Sequence, residues 1–506
     1  MDKKHTGHRG NSARSILIGL AISLAGFIYG IDTGIIASTI AQSTFKTYMY
    51  GGLKANASIT GGIVSGYYAG SAFGSGGAAY CMDKLSRRWT LLFGCCVSII
   101  GAILQTAAQG PAMMIVGRAF SGFSTGMVYP TAPVYLAELS PPENRGFLVG
   151  LKGLMNTLGF FASGWIGYAG SFAVGEAQWR IPLATQAPPA LLLAVLTVFL
   201  PYSPRWLAKR ERYDEAKKVM YDLHGHRGSE FIEAEFAEMC SQIQLEGSSS
   251  KSANFRKLFK RQYIRRTLLA CMTVNMMKLS GSNVIQSYQS VMYNALGYKG
   301  QTVLLIGALN GFMAVIGQII NVFFVADHWT RRITVITGSY SLAVILAILT
   351  ALSKFSEGGG ADMSRAGVAF VFLFAFAYSF FFNSVNWVLV AEIFPLDLRG
   401  VGVGFAVFTQ ACTAIWLSYS ASVAFDRISW KFYFVFIGCN IFAGTIYFFF
   451  LPETRFLTLE EVAAKFGDEV IIPPSTKELE AEGSGEITAP ADKNEVSSNH
   501  VEASRN

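Results

Sequence analysis

Charge is scarce in this sequence. Only 15% of its 506 residues are Asp, Glu, Lys or Arg, whereas 52% are hydrophobic, and the mean hydropathy is +0.37. A soluble protein covers its surface with charged and polar groups, so this composition excludes that class. The chain is therefore predicted to be a membrane protein that crosses the bilayer many times.

Several chemical signatures are also absent. The seven cysteines lie in apolar runs or in the central loop and show no disulfide framework. The sequence contains no Walker loop, no metal-binding cluster and no nucleophile elbow. We therefore expect no cofactor, no metal and no enzymatic activity. The net charge of +8 collects in a few loops, which is typical of membrane topology rather than of nucleic-acid binding.

Twelve apolar runs are each long enough to cross a bilayer core of about 30 Å, for which roughly 20 residues suffice. We expect an all-α protein with twelve transmembrane helices in two six-helix halves, residues 16–201 and 266–451. The linker between them, 202–265, is predicted to form short amphipathic helices at about 212–223 and 230–245. The predicted transmembrane helices are 16–38, 59–81, 89–108, 112–138, 147–170, 182–201, 266–295, 302–326, 333–353, 366–392, 400–424 and 431–451.

The two ends of the chain are polar. Residues 1–15 carry lysine and arginine without a signal-peptide cleavage pattern. Residues 452–506 turn rich in Glu, Ser and Lys, a composition typical of disorder. Lysine and arginine are enriched in the linker and in the loops on the same side, so the positive-inside rule places both ends and the linker in the cytoplasm.

Three charged elements occur twice, about 250 residues apart, which indicates duplicated halves. The pairs are Asp83-Lys-Leu-Ser-Arg87-Arg88 with Asp327-His-Trp-Thr-Arg331-Arg332, Glu138 and Arg145 with Glu392 and Arg399, and Pro201-Tyr-Ser-Pro-Arg205 with Pro452-Glu-Thr-Arg455. Three independent landmarks with nearly the same offset are hard to produce by chance.

These elements resemble the sugar porter family of the major facilitator superfamily, and in particular its fungal hexose and pentose transporters. The resemblance also rests on Gly117-Arg118, Pro133-Val-Tyr-Leu-Ala-Glu138 and Leu457-Thr-Leu-Glu-Glu461, and it extends from about Gly19 to Glu461. It implies two halves that close alternately around a site at mid-membrane. It further implies a sugar substrate, protons and the lipid bilayer as the partners, a plasma-membrane location and a monomer.

The repeated charges predict a gate on the cytoplasmic face. Carboxylates at one helix end and guanidinium groups at the next form strong hydrogen bonds that hold helix ends together. We expect Glu138 to pair with Arg145 and Arg88, and the second half to repeat this arrangement; the alternative is that these charges only fix the topology. The predicted gating residues are Asp83, Arg87, Arg88, Glu138 and Arg145 in the first half and Asp327, Arg331, Arg332, Glu392 and Arg399 in the second. Ser86 and Thr330 stand where the family has glycine, so the turn before each arginine pair is expected to differ.

Proton coupling is predicted for Asp32 and Arg118. Asp32 is a lone carboxylate some 16 residues, or about 24 Å, into the first helix. A buried carboxylate either pairs or stays protonated, and Arg118 in the fourth helix is its expected partner. The alternative for Arg118 is that its head reaches the membrane surface. In proton-driven relatives the residue that matches Asp32 couples substrate to proton movement.

The resemblance places the substrate site mainly in the second half. Where relatives have two glutamines in helix seven, this chain has Met277 and Lys278, and helix ten reads Asn383-Ser384 in place of a Gly-Pro pair. Amides and an aromatic face remain for binding hydroxyl groups. The predicted substrate-binding residues are Lys278, Asn283, Tyr288, Asn310, Asn383, Asn386, Trp387 and Gln410.

Two lysines in apolar runs require separate interpretation. Lys278 lies about 18 Å along its helix and needs a partner there. It is expected either to form an internal ion pair, for example with Asp32, or to meet an anionic substrate such as a sugar acid. Lys152 lies seven residues beyond Arg145 and is interpreted as a side chain that reaches the membrane surface.

The sequence thus predicts a secondary transporter that moves a monosaccharide across a fungal plasma membrane, with proton symport as the expected mode. A sugar acid of the uronate or quinate type is the alternative substrate. A nutrient sensor that does not transport, built on the same fold, is the alternative from another functional class.

Overall fold

The computed structural model describes residues 13–52, 56–139, 145–225, 228–247, 255–325, 329–356, 361–394 and 396–452. Within these ranges all regular elements are helices, as the apolar runs predict. The helices are α1 (Ala13–Ala41), α2 (Ser43–Tyr50), α3 (Ala57–Leu85), α4 (Arg87–Thr106), α5 (Pro111–Leu139), α6 (Arg145–Gly170), α7 (Ala177–Ala184), α8 (Ala187–Thr197), α9 (Pro204–Lys209), α10 (Tyr213–His224), α11 (Ser229–Gly247), α12 (Arg261–Leu279), α13 (Ser282–Ala295), α14 (Gln301–Ile320), α15 (Arg331–Ser356), α16 (Ala361–Phe381), α17 (Val385–Ile393), α18 (Leu396–Ile428) and α19 (Tyr433–Phe450).

Twelve transmembrane segments form the bundle, six in each half. Nine consist of one helix each, and α7 with α8, α12 with α13 and α16 with α17 make up the other three. By length and apolar composition alone, six stretches of the described helices qualify as membrane spans. The remaining segments contain breaks, glycines or polar groups, which lower their mean hydropathy.

Glycine allows the helices of the first half to pack closely. Any Cβ at Gly30 of α1 would collide with the carbonyl oxygen of Asn156 on α6, and a Cβ at Gly122 of α5 would collide with the carbonyl oxygen of Tyr67 on α3. Such close backbone approach is a common way to gain van der Waals contact between helices in lipid. The α1–α6 and α3–α5 pairs are among the most extensive contacts in the bundle.

Three of the predicted continuous helices are interrupted, and these predictions were wrong. The segment predicted at 182–201 already begins with α7 at Ala177 and turns at Thr185, among prolines. The one at 266–295 breaks at Gly281, whose φ of 99° is readily adopted by glycine. The one at 366–392 is interrupted between α16 and α17. All three breaks place backbone polar groups inside protein, where they are tolerated.

The linker helices α9, α10 and α11 pack against one end of the bundle. Leu207, Ala208 and Ala216 form a small apolar core there. The Trp206 indole donates to the backbone carbonyl of Asp83 at 3.0 Å, and Lys209 lies 3.9 Å from the Asp83 carboxylate. The first charged repeat thus anchors the linker to the loop between α3 and α4. We call this end of the bundle the linker side.

Candidate functional site

A cavity lies in the centre of the bundle, between the two halves. Side chains from α1, α3, α5 and α6 meet side chains from α12, α13, α16, α17 and α18 around it. The polar and aromatic lining residues are Tyr29, Tyr68, Ser71, Ser75, Thr125, Tyr129, Asn156, Phe160, Lys278, Ser282, Gln286, Tyr378, Asn383, Trp387 and Gln410. Aromatic faces with a few convergent polar groups are typical of a small-molecule site.

Stacked tyrosines connect two lysines at this cavity. The Lys278 ammonium donates to the Tyr29 hydroxyl at 3.1 Å. The Tyr29 ring stacks on Tyr129, with centroids 4.3 Å apart. The Lys152 ammonium lies 3.3 Å from the Tyr129 ring centroid and 5.5 Å from that of Trp387. Each ammonium is thus held by aromatic side chains that line the cavity.

This arrangement corrects two expectations about the lysines. Lys152 does not reach the membrane surface, because it is buried at 5% exposure among the aromatic rings. Nor does Lys278 pair with Asp32, since its hydrogen bond goes to Tyr29. The helical register explains the position of Lys152: it lies one turn before Asn156, which itself lines the cavity.

Asp32 and Arg118 lie together in the core of the first half, but their side chains do not form the expected ion pair. Arg118 is 1% exposed, which excludes the surface alternative, and its guanidinium donates to the backbone carbonyl of Asp32 at 2.7 Å and lies over the Tyr67 ring. The Asp32 carboxylate accepts from the Thr125 hydroxyl at 3.3 Å. Its other oxygen has no hydrogen-bond partner among the described residues.

Of the eight predicted substrate-binding residues, four line the cavity: Lys278, Asn383, Trp387 and Gln410. The other four lie outside this lining. Asn283 accepts a hydrogen bond from Tyr68 and donates one to Ser418, whose backbone carbonyl accepts from Tyr288. Asn310 donates to Gln289. Asn386 is fully buried, and its side chain has no hydrogen-bond partner in the described part of the chain. Substrate binding by any of the eight stays a prediction.

Two of the four amides at the cavity are already engaged. Asn383 donates to Thr157 at 3.0 Å and to the Gln318 carbonyl oxygen at 2.7 Å. The amide of Gln410 donates to the Val274 backbone carbonyl at 2.7 Å. The amides of Asn156 and Gln286, which also line the cavity, donate no hydrogen bond within the described part of the chain and remain available to substrate hydroxyl groups.

Hydrogen bonds join the halves on both sides of the cavity. Toward the linker side, the Asn383 amide crosses to Thr157 of α6. Toward the other side, Tyr68 of α3 donates to Asn283 of α13 at 2.5 Å, and Ser290 donates to the Ala37 carbonyl at 3.0 Å. Polar contacts between the halves therefore lie on both sides of the cavity.

The predicted gate is only partly described. Arg87 binds Glu138 at 2.7 Å, with both side chains about one-tenth exposed. Arg88, the expected partner, instead donates to the Val198 carbonyl at 2.6 Å and lies over the Tyr202 ring. Arg87 and Arg88 are adjacent residues at the start of α4, and adjacent positions of a helix point to different faces. The two arginines therefore have different partners.

In the second half, Arg332 donates to the Phe448 carbonyl, and Arg331 lies partly buried at the start of α15. Asp327 lies outside the described residues. The backbones of Arg145, Glu392 and Arg399 are described, but their side chains are not. The repeated gate therefore stays a prediction for this half.

Sequence reasoning missed several lining residues: Tyr29, Tyr68, Tyr129, Asn156, Gln286 and Tyr378. Tyr29 precedes Asp32 by three positions, and Gln286 follows Asn283 by three, so both are one helical turn from residues already singled out. That spacing was an available signal. Tyr129 follows Arg118 by eleven positions, about three helical turns, so the same face of α5 was also available as a signal.

Twelve transmembrane segments in two six-helix halves around a central cavity are the architecture of the major facilitator superfamily. The sequence profile described as sugar (and other) transporter matches residues 18–466, and the chain belongs to that family.

The chain is similar along nearly its whole length to curated relatives and solved structures. It is 33% identical over 462 residues to the MFS-type transporter criB of Aspergillus cristatus, covering 91% of this chain and 95% of that one. It is 28% identical over 473 residues to the high-affinity glucose transporter of Kluyveromyces lactis, covering 90% and 85%. The structure of the proton:xylose symporter XylE bound to 6-bromo-6-deoxy-D-glucose superposes with a TM-score of 0.77 at 21% identity, covering 90% of this chain and 100% of that one.

Proposed function

We propose that this protein moves a monosaccharide or a closely related hydroxylated solute across the plasma membrane by alternating access. The observation that carries the proposal is the central cavity with polar contacts between the halves at both ends. Breaking one set while keeping the other would open the cavity to one side at a time. The glucose transporter and the xylose symporter among the similar proteins support the substrate class.

Proton symport is the proposed mode. Asp32 is fully buried, and its carboxylate has a single weak hydrogen bond from Thr125. A carboxyl group without a charged hydrogen-bond partner can take up and release a proton as its surroundings change. Arg118 contacts the Asp32 carbonyl, so movement of α1 relative to α5 would alter the field at the carboxylate. Asp32 is therefore the proposed proton site, and Arg118 the residue that responds to it.

The linker side is proposed to face the cytoplasm. The lysines and arginines of α9 and α10, of the end of α3 and of the start of α4 lie there, and the positive-inside rule favours that orientation. Opening toward the cytoplasm would then require separation of Asn383 from Thr157.

Uptake in a host that lacks its own sugar transporters tests the proposal. Cells that express the full chain are expected to accumulate at least one labelled solute among hexoses, pentoses and sugar acids, and a protonophore is expected to abolish accumulation. A non-transporting sensor would give surface expression without uptake of any of them. Uptake that a protonophore leaves unchanged would contradict the symport part alone.

A further inference from the structure

Two lysines of opposite halves are built into the wall of one cavity. Lys278 of α12 donates to Tyr29 at 3.1 Å, and Lys152 of α6 lies 3.3 Å from the Tyr129 ring centroid. Because Tyr29 stacks on Tyr129 at 4.3 Å, Lys152 must occupy the opposite face of Tyr129. One ammonium group therefore lies over a face of the stacked tyrosine pair, and the other lies at its hydroxyl edge.

Aromatic groups, and no carboxylate, hold these two charges in the described part of the chain. Lys152 contacts Tyr129 and Trp387, and Lys278 contacts the Tyr29 and Tyr68 rings at 5.9 and 5.3 Å. The acidic side chain of α1, Asp32, accepts a hydrogen bond from Thr125 and pairs with neither lysine. Cation–π contacts keep an ammonium in place without cancelling its charge. The cavity wall is left with a surplus of positive charge.

Among the donors at the cavity, the ammonium groups favour an anion, while the amides of Asn156 and Gln286 suit the hydroxyl groups of the same ligand. Asn383 and Gln410 use their amides on protein groups, and Met277 presents a thioether, which is only a weak acceptor. Lys278 has three ammonium hydrogens and gives one to Tyr29. Two are left to bind a carboxylate, to which an ammonium donates a strong charge-assisted bond.

We propose that the substrate is a hydroxylated carboxylic acid in its anionic form, bound by Lys278, with Lys152 as a second specificity-determining cation. This inference rests on the proposed transport function and names its substrate class.

Lys152 has a further feature that suits this role. Its two aromatic neighbours belong to different halves, Tyr129 to α5 and Trp387 to α17. Separation of the halves at the linker side would remove Trp387 and leave the ammonium facing the open cavity. A carboxylate that leaves Lys278 in that state would then meet a second cation on its way out.

Matched sugars and sugar acids test the substrate class on the purified full-length protein. Galacturonate and glucuronate differ from galactose and glucose by a carboxylate in place of a hydroxymethyl group. A ligand that binds the folded state raises the unfolding temperature. We expect the acids to raise it at concentrations at least tenfold below those at which the neutral parents act. Uptake by the wild-type chain should show the same order of preference.

Substitutions then test the lysines. Lys278→Gln is expected to weaken binding of the acid at least tenfold and Lys152→Gln several-fold, with the neutral parent little changed, while Lys278→Arg retains the preference. Lys354→Gln is the matched control, because Lys354 also lies near an aromatic ring, that of Trp430, but at the end of α15 away from the cavity. It is expected to behave as wild type.

The outcomes separate the two proposals. Binding and transport of neutral sugars alone would overturn the anionic substrate and leave the transport function standing. Failure of the wild-type chain to bind or transport either class would overturn both. Acid binding that neither glutamine variant weakens relative to Lys354→Gln would refute the role of the lysines.

Discussion

At the scale of single residues, Asp32 illustrates what burial without a charged partner can do. It lies on α1 beside Arg118, yet the guanidinium binds the Asp32 carbonyl and leaves the carboxylate to Thr125. The positive charge of Arg118 therefore stabilises the Asp32 carboxylate electrostatically, but the two side chains do not form a bidentate salt bridge. Such a group suits reversible protonation better than a fixed salt bridge would.

Replacing Asp32 by Asn keeps the size of the side chain and the acceptor for Thr125 while removing the proton site. We expect Asp32→Asn to abolish accumulation against a gradient, because no proton would then move with the substrate, while downhill flux or exchange continues. Both are measured in the same cells. Persistent accumulation that a protonophore collapses would show that Asp32 is not the coupling group.

Ser86 is a second residue with an unusual environment. Its φ of 85° and ψ of 164° place a serine in a region that is nearly restricted to glycine. The expected change in the turn at this position is thus absent: the turn keeps a glycine-type backbone despite the serine.

The Ser86→Gly substitution should stabilise the protein, by about 1 kcal/mol or more, because it relieves this backbone strain. Thermal unfolding in detergent is the measurement. Ser203→Gly is the control, since Ser203 has an ordinary φ of −66° and its side chain caps α9; that change is expected to cost a few tenths of a kcal/mol. An unfolding temperature for Ser86→Gly at or below wild type would contradict the prediction.

At the scale of elements, hydropathy located all twelve transmembrane segments but not their interruptions. A continuous helix and a broken one have the same apolar composition, so hydropathy does not reveal a break. Gly281 and the prolines near Thr185 were sequence signals for two of the breaks. The break between α16 and α17 had no comparable signal. The lining of the cavity was harder to predict. A helix that is apolar all round does not indicate which face points inward, so the burial of Lys152 could only follow from packing.

The Arg87–Glu138 contact ties the start of α4 to the end of α5. It is partly buried and charge-assisted, so its loss is expected to cost about 1 to 3 kcal/mol. Glu138→Gln should therefore shift the population toward the form that is open to the linker side. Labelling of a cysteine introduced by Ser384→Cys, beside the Asn383–Thr157 contact, should become faster from that side.

A salt bridge at the opposite end of the bundle provides the control for this gate. Arg180 binds Glu176 at 2.8 Å within one helical turn of the α6–α7 connection, at a more exposed position. Glu176→Gln should leave the labelling rate from the linker side unchanged. If Glu138→Gln also leaves this labelling rate unchanged at normal expression, the Arg87–Glu138 pair fixes the membrane topology and does not act as a gate.

At the scale of the whole molecule, the halves contact each other along matching pairs of helices. Helix α3 packs against α18 and α6 against α14, one pair on each side of the cavity, while α1 meets α13 across it. The three charged residues proposed to act in transport lie on these elements or beside them: Asp32 on α1, Lys152 on α6 and Lys278 next to α13. Rocking of one half against the other would therefore change the surroundings of all three together.

The sum of the transported charges gives a prediction that depends on no single contact. One proton moving with one monoanion carries no net charge, whereas a proton moving with a neutral sugar carries one positive charge, worth about 2.3 kcal/mol per 100 mV. That energy corresponds to roughly a 50-fold difference in accumulation ratio. For one-to-one symport of a sugar acid, we expect accumulation in proteoliposomes to follow the imposed pH gradient. A potassium–valinomycin potential of about 100 mV should leave it unchanged. Accumulation driven by the potential alone would show net movement of positive charge and would contradict one-to-one symport of an anion.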